Sequence, residues 1–334
     1  MTLVEPNWDQ AREFAAKIIS EGPSESVLVK DALGRVLVND AKSLVALPTY
    51  ETSAMDGYVV AGDGPWKIVG EVKAGALFSG RLNPGEALAI ATGAVIPDGA
   101  FGVIRWEQAT VEDEILSGET TFRKDFRPKG EEAKAEEVLI KKGSTLSPGM
   151  IGLLAAAGYD RVEVKRRPRV ALLLLGDEIQ LEGIPSNGLV RDSLGPQLPG
   201  WFEKLGCEVA HLEYVPDKLD LTIKAIESAS KNFDLIATTG GTAEGPRDFL
   251  KPAIKHLNGV IHIDKVAVRP GHPQVLGEVN GKPLFGLPGN PQSAVVALMT
   301  LGQPVINSIL GIPNYELALI SSDDQFDAQP GFTR

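Results

Sequence analysis

The sequence predicts a multidomain α/β protein, and three observations predict it. Short apolar runs alternate with helical stretches beyond residue 168, which implies a largely parallel sheet covered by helices. A turn-rich stretch of β texture, from about 44 to 136, precedes them. The chain has 334 residues, and at roughly 150 residues per domain that length asks for about two or three domains.

The elements follow in order. Residues 7–22 have helical spacing: Trp8, Ala11, Phe14, Ala15, Ile18 and Ile19 share a face, Asn7 suits the start and Gly22 the stop. Short β pieces (Gly57 to Val60, Trp66 to Val69, Ala87 to Ala91, Val103 to Trp106) then alternate with Gly, Pro and Asp turns. A helix returns at 147–158, with Ser147 as N-cap, Pro148 in the first turn and Gly158 at the end. The basic stretch Lys165-Arg166-Arg167-Pro168 marks a boundary. Beyond it, Val170 to Leu175, Glu208 to Leu212, Asp234 to Thr239 and Pro283 to Leu287 read as buried strands. Asp217 to Ser230 and Pro291 to Leu310 read as helices, the second expected to break near Gly302 and Pro304.

Composition narrows the function classes. Apolar residues make up 43% and charged residues 23%, a globular balance rather than a disordered one. The net charge of -11 argues against a basic nucleic-acid footprint but leaves room for a local cationic pocket. Cys207 is the only cysteine, so neither an intrachain disulfide nor a cysteine zinc cluster can form. The longest aliphatic run, Val170 to Leu175, is far short of a membrane span, and Glu5 and Asp9 stand where a signal peptide needs basic residues. The expectation is a cytoplasmic protein with no membrane or nucleic-acid partner.

The commonest catalytic motifs are missing. Gly281-Lys282 is followed by Pro283 and makes no Walker A loop. There is no G-x-G-x-x-G, no G-x-S-x-G and no H-E-x-x-H, and His211, His256, His262 and His272 lack zinc-site spacing.

Five segments can carry chemistry. Ser53-Ala54-Met55-Asp56-Gly57-Tyr58 reads as a turn, or as a turn that aims the Asp56 carboxylate outward. Ala91-Thr92-Gly93-Ala94, before Pro97-Asp98-Gly99, offers the Thr92 hydroxyl or a structural turn. Leu174-Leu175-Gly176-Asp177-Glu178 ends the first buried strand. Its two carboxylates suit Mg²⁺, or Asp177 caps a helix. Thr238-Thr239-Gly240-Gly241-Thr242-Ala243-Glu244-Gly245-Pro246-Arg247-Asp248 is a glycine-rich loop after a strand, suited to cradle an anion. Leu287-Pro288-Gly289-Asn290-Pro291 starts a helix after another strand, with Lys265 and Arg269 as nearby cations. Carboxylates, cations and open N–H groups without an obvious nucleophile favour metal-assisted handling of an oxyanion or phosphorylated substrate.

Taken in order, Ser-Ala-Met-Asp-Gly-Tyr, Thr-Gly-Ala, Gly-Asp-Glu, Gly-Gly, Arg-Pro-Gly-His-Pro and Leu-Pro-Gly-Asn-Pro resemble the molybdopterin molybdenumtransferases, the MoeA and gephyrin E-domain family, from about residue 8 to 311. The resemblance implies a three-layer α/β domain with an N-terminal helical part, an inserted small β domain and a C-terminal β-barrel. The corresponding divisions are 1–43 with 137–165 (helical/linker), 44–136 (inserted β), 166–311 (α/β, molybdopterin-binding) and 312–334 (remnant of a shortened barrel). It implies Mg²⁺-dependent insertion of molybdate into adenylylated molybdopterin with release of AMP, by a homodimer whose cleft is shared between subunits. An adenylyltransferase and molybdoenzymes would be further partners.

Carried over by motif, Asp56, Thr92, Glu178, Asp217, Asp248 and Lys265 match catalytic positions, with Glu178 and Asp248 as metal ligands. Substrate-binding positions are Asp192, Gly240, Gly241, Thr242, Arg269, His272, Pro288, Gly289, Asn290, Pro291 and Ser293. The chain departs from the family at Leu175, at Glu132, at Leu194, at Ala243, and at Arg269 and His272 where lysines are usual. Gly195-Pro196 and Pro199-Gly200 interrupt what is normally a helix. Thr239-Gly240-Gly241-Thr242 also resembles the molybdopterin adenylyltransferases, which lack the long N-terminal region. Adenylyl transfer and a non-catalytic pterin-binding scaffold are therefore the two rival readings.

Overall fold

Asn7 starts the first helix as its chemistry predicts. In the computed structural model, which describes residues 2–242, 245, 248–314 and 333, its side chain accepts the Gln10 N–H and the Gln10 side chain accepts the Asn7 N–H. This reciprocal capping box opens α1 (Trp8–Ala15). The helix stops at Ala16, earlier than its apolar spacing predicts. Gly22 terminates no helix: its N–H donates to Ile309 O at 2.7 Å, where the chain meets the last helix.

The strands of the two large sheets are numbered along the chain. β1 is Leu3–Val4, a strand the sequence reading does not contain. β2 (Gly57–Val60), β3 (Trp66–Val72), β4 (Glu86–Ile90), β5 (Gly102–Arg105), β6 (Thr110–Glu112) and β7 (Ile115–Ser117) form a six-stranded sheet, ordered β5-β2-β4-β3-β7-β6. Then α2 (Pro148–Ala156) begins at Ser147, whose hydroxyl accepts the Met150 N–H.

The second sheet holds β8 (Arg169–Leu175), β9 (Glu208–Val215), β10 (Leu235–Thr239), β11 (Val260–Asp264), β12 (Val275–Val279) and β13 (Lys282–Leu287), with β1 on its edge. Its order is β1-β11-β12-β13-β10-β8-β9. β9, β8, β10 and β13 run parallel, while β12 is antiparallel to both its neighbours. The β12–β13 hairpin turns on Asn280 and Gly281, both at positive φ (52° and 72°), the residue pair that a tight hairpin favours. Helices α3 (Leu194–Lys204), α4 (Leu219–Asn232), α5 (Leu250–His256), α6 (Pro291–Ala297) and α7 (Gln303–Leu310) connect and cover these strands.

Side chains of β8 divide between two cores. Val170, Leu172 and Leu174 join Ala11, Ala15, Phe202, Phe285 and Ile306 on one face. Ala171, Leu173 and Leu175 join Ile226, Ile236, Leu250 and Ile254 on the other. This period-two division is what a strand covered on both faces requires.

Two expected interruptions do not occur. α3 continues through both prolines: Pro196 falls in the first turn, where no intrahelical donor is needed, and Pro199 lies inside the helix. Burial of Leu194, Leu198 and Phe202 offsets the one bond lost at Pro199. Between α6 and α7, residues Leu298–Gly302 form a π segment. Pro304 cannot donate one turn back, so the ladder widens instead of breaking. Pro291–Leu310 is thus one 20-residue helix, long and apolar enough to cross a membrane by length and composition, with 61% of its apolar window buried inside the protein. The stretch read as a barrel remnant lies almost wholly outside the described residues.

Asp234 joins the linker to the sheet. One oxygen accepts from Arg166 Nη2 and the other from the Arg169 N–H, each at 2.9 Å. Burial alone would raise its pKa, but these bonds outweigh it and the carboxyl titrates below the ordinary aspartate value. Its stabilisation is therefore present above the unfolded-state pKa and lost as pH falls through the lower folded-state value. Asp234→Asn should lower unfolding stability at pH 7 by about 1–2 kcal/mol in urea titrations, with the difference from wild type shrinking as pH falls below the ordinary aspartate range.

Candidate active site

Parallel strands leave their loops at one edge of the sheet, and three of the five singled-out segments, those after β8, β10 and β13, fall at that edge. After β8, Gly176 takes φ 141°. A Cβ there would stand 2.5 Å from Glu178 Oε2, so the glycine makes room for that carboxylate. Asp177 caps no helix, because the short strand Ile179–Gln180 follows it. Instead Asp177 Oδ1 accepts the Asp217 N–H at 3.1 Å and Asp217 Oδ2 accepts the Asp177 N–H at 3.3 Å. This exchange fixes the β8 loop to the end of β9. Burial, then the negative charges of Asp177, Asp217 and Glu178, push the Tyr214 hydroxyl pKa up. These carboxylates thus share one electronegative corner.

Next to it, the β10 loop begins with Gly240 and Gly241 at φ 79° and 66°, a conformation that side-chain-bearing residues rarely adopt. Gly240 N–H donates to Leu287 O at 2.8 Å, tying this loop to the end of β13. Thr242 is buried. Ala243, Glu244, Pro246 and Arg247 of the glycine-rich segment lie outside the described residues. Asp248 turns its carboxylate onto the Gly245 N–H. After β13, Pro288 is buried while Gly289, Asn290 and Pro291 are exposed. The Asn290 side chain accepts the Ser293 N–H at 3.2 Å and opens α6, with Pro291 in its first turn. Asp192 does the same for α3, its Oδ1 accepting the N–H groups of Leu194 and Gly195 at 3.0 and 2.9 Å.

The cationic segment follows β11. Lys265 has φ 64°, and its N–H donates to Gln274 O at 2.9 Å. Arg269 is exposed, and its N–H donates to Thr333 O at 2.9 Å. His272 Nε2 lies 2.7 Å from Glu5 Oε1, because β1 pairs with β11 and carries Glu5 to this loop.

Asp56 and Thr92 sit together on the six-stranded sheet. Asp56 Oδ1 accepts the Thr92 N–H at 2.7 Å, and Asp56 O accepts the Trp106 N–H at 3.4 Å. The turn and the carboxylate are thus one device. Sequence reasoning missed three contributors: the Asp177–Asp217 exchange, Tyr214 within the field of these carboxylates, and Glu5 at His272. The partners are 40 and 267 residues apart in the first and last cases, beyond any local pattern.

Among the described residues, no three His, Cys, Asp or Glu side chains converge as a metal cage. The donor set is nevertheless all oxygen, which fits Mg²⁺ bound with ligand oxygens completing its shell.

Residues 7–158 match the model of the MoeA N-terminal region (domain I and II), and residues 171–308 match that of a probable molybdopterin binding domain. A molybdopterin molybdenumtransferase of Staphylococcus aureus (strain COL) is 32% identical over 93% of this chain and 78% of its own length. One from Staphylococcus epidermidis is 30% identical over 86% of this chain and 71% of its own. The crystal structure of the molybdopterin biosynthesis moea protein from Pyrococcus horikosii superimposes with a TM-score of 0.77 at 29% identity, covering 92% of this chain and 80% of that one.

Gly57 permits the approach that places Asp56. A Cβ at this position would stand 2.1 Å from Ile104 O on the neighbouring strand. Gly57→Ala should therefore destabilise the protein by about 2–3 kcal/mol, read as a lowered urea midpoint.

Proposed function

Because the chain belongs to the molybdopterin molybdenumtransferase family, we propose that it inserts molybdate into adenylylated molybdopterin with release of AMP, at a Mg²⁺-assisted site. The coarse activity, a transferase step of molybdenum cofactor biosynthesis, follows from the family. The finer chemistry is the present reading. The observation that carries it is the joining of an acidic corner (Asp177, Glu178, Asp217) to a glycine loop with left-handed backbone (Gly240, Gly241) at the ends of adjacent parallel strands. Open sheets of this kind bind ligands there.

In this reading Gly240 and Gly241 let the backbone approach an anionic group closely. Lys265 and Arg269 offset oxyanion charge, and the Pro288–Pro291 loop with Ser293 borders the molybdate. Thr242, Asp192 and His272 shape the surrounding walls. Glu178 and Asp248 would hold Mg²⁺, which when bound neutralises phosphate charge. Asp56 and Thr92 would close the cleft from the second subunit of a homodimer. Receipt of substrate from an adenylyltransferase and delivery of product to molybdoenzymes are the corresponding partnerships. Adenylyl transfer is the less favoured reading, since the adenylyltransferase resemblance covers only the α/β part and the match at 7–158 has no place in it.

The purified chain should release AMP from adenylylated molybdopterin only when both Mg²⁺ and molybdate are present. The Glu178→Ala plus Asp248→Ala variant should lose about a hundredfold or more of that rate. Wild-type rates in the double variant, or release independent of Mg²⁺, would overturn the metal assignment. Pyrophosphate release with ATP would instead support adenylyl transfer.

A further inference from the structure

We propose that Trp106 is a stacking platform for the planar heteroaromatic ring of the substrate, set beside Asp56. This rests on the insertion reading, in which Asp56 faces the substrate cleft.

Trp106 and Trp66 belong to the same six-stranded sheet region but differ in burial. Trp66 is 6% exposed and packs in the sheet's core, whereas Trp106 is 56% exposed. So large an apolar side chain left exposed forgoes most of its burial free energy, and a bound planar ring would supply it. Yet Trp106 is held firmly. Its Nε1–H donates to Gly57 O at 3.2 Å and its backbone N–H to Asp56 O at 3.4 Å. Both bonds end on the two residues that present the Asp56 carboxylate, and that carboxylate is itself closed onto Thr92.

The residue before it is locked as well. Arg105 makes a two-pronged contact with Asp125, Nε to Oδ2 at 2.9 Å and Nη2 to Oδ1 at 2.7 Å. The Arg105 hydrogen bond, outweighing burial, holds the Asp125 carboxyl below its ordinary pKa. With Arg105 paired across to Gly57, the whole corner is rigid. The one polar atom of the indole is already satisfied, so what remains is an apolar π face that asks for no hydrogen bond. Such a face suits a flat heterocycle, and a pinned ring loses little conformational freedom on binding. The substrate of the insertion reading has two such rings, adenine and pterin, and the platform takes one of them.

The test compares wild type, Trp106→Ala and Trp106→Phe for binding of AMP, binding of pterin, and AMP release from adenylylated molybdopterin. The Ala variant should weaken binding of one ring about tenfold and raise KM more than it lowers kcat, while Phe keeps most of the affinity. Quenching of tryptophan fluorescence by that ring should disappear in the Phe variant. Weakened AMP binding assigns the adenine, and weakened pterin binding assigns the pterin. Because the side chain is exposed, urea midpoints should be close to wild type, and the Phe variant retains the readout if Ala fails to fold. Wild type that releases AMP, with an Ala variant of unchanged KM and unchanged affinity for both probes, overturns the platform and leaves the insertion reading standing. Wild type that releases no AMP but shows Trp106-dependent quenching overturns the insertion reading and keeps the platform. Wild type that binds neither ring overturns the platform.

Discussion

Everything at the sheet edge depends on β8 being buried on both faces. Val170, Leu172 and Leu174 fill one core and Ala171, Leu173 and Leu175 the other. With both faces apolar, the strand has no solvated side, and its only polar outlets are its ends. β9 and β10 flank it in parallel, so the loops after all three emerge together. A one-residue slip of β8 would exchange its two side-chain sets between cores of different shape, which fixes its register. The positions of Glu178, Asp217 and Gly240 are consequences of that register.

Several carboxylates of the candidate site accept hydrogen bonds from backbone N–H groups. Asp177 and Asp217 exchange such bonds, Asp248 takes one from Gly245, Asp192 takes two at the start of α3, and Asp56 takes one from Thr92. A carboxylate bonded in this way is oriented and retains lone pairs for a further donor or ligand. Glycines at 57, 176 and 195 complete the arrangement, because each stands where a Cβ would meet backbone or a carboxylate within 2.5 Å.

Legibility from sequence followed the range of the interaction. Asn7 and Ser147 act within three residues, and both caps were readable. The end of α1 was not, since Ala16 ends the helix while apolar spacing continues past it. Prolines at 196, 199 and 304 read as breaks, but packing of their helices offset one and a π segment absorbed another. Asn280-Gly281 is a local hairpin signal, and the antiparallel β12 lies behind it. Among the candidate residues, types and order were visible in the motifs, whereas Glu5 reaches His272, 267 residues away, only through the pairing of β1 with β11.

By itself the sequence determined the alternation of buried strands and helices, the identity of the loops at the sheet edge, and the residue types those loops carry. These follow from periodicity and turn chemistry, which act over a few residues. Only the tertiary structure decided that Asp177 pairs with Asp217, that Gly240 bonds to Leu287, and that Trp106 is exposed while fixed to the Asp56 turn. Those outcomes depend on which strands become neighbours and in what register. That choice is made by the fit of whole faces into shared cores, and no short stretch of sequence contains it.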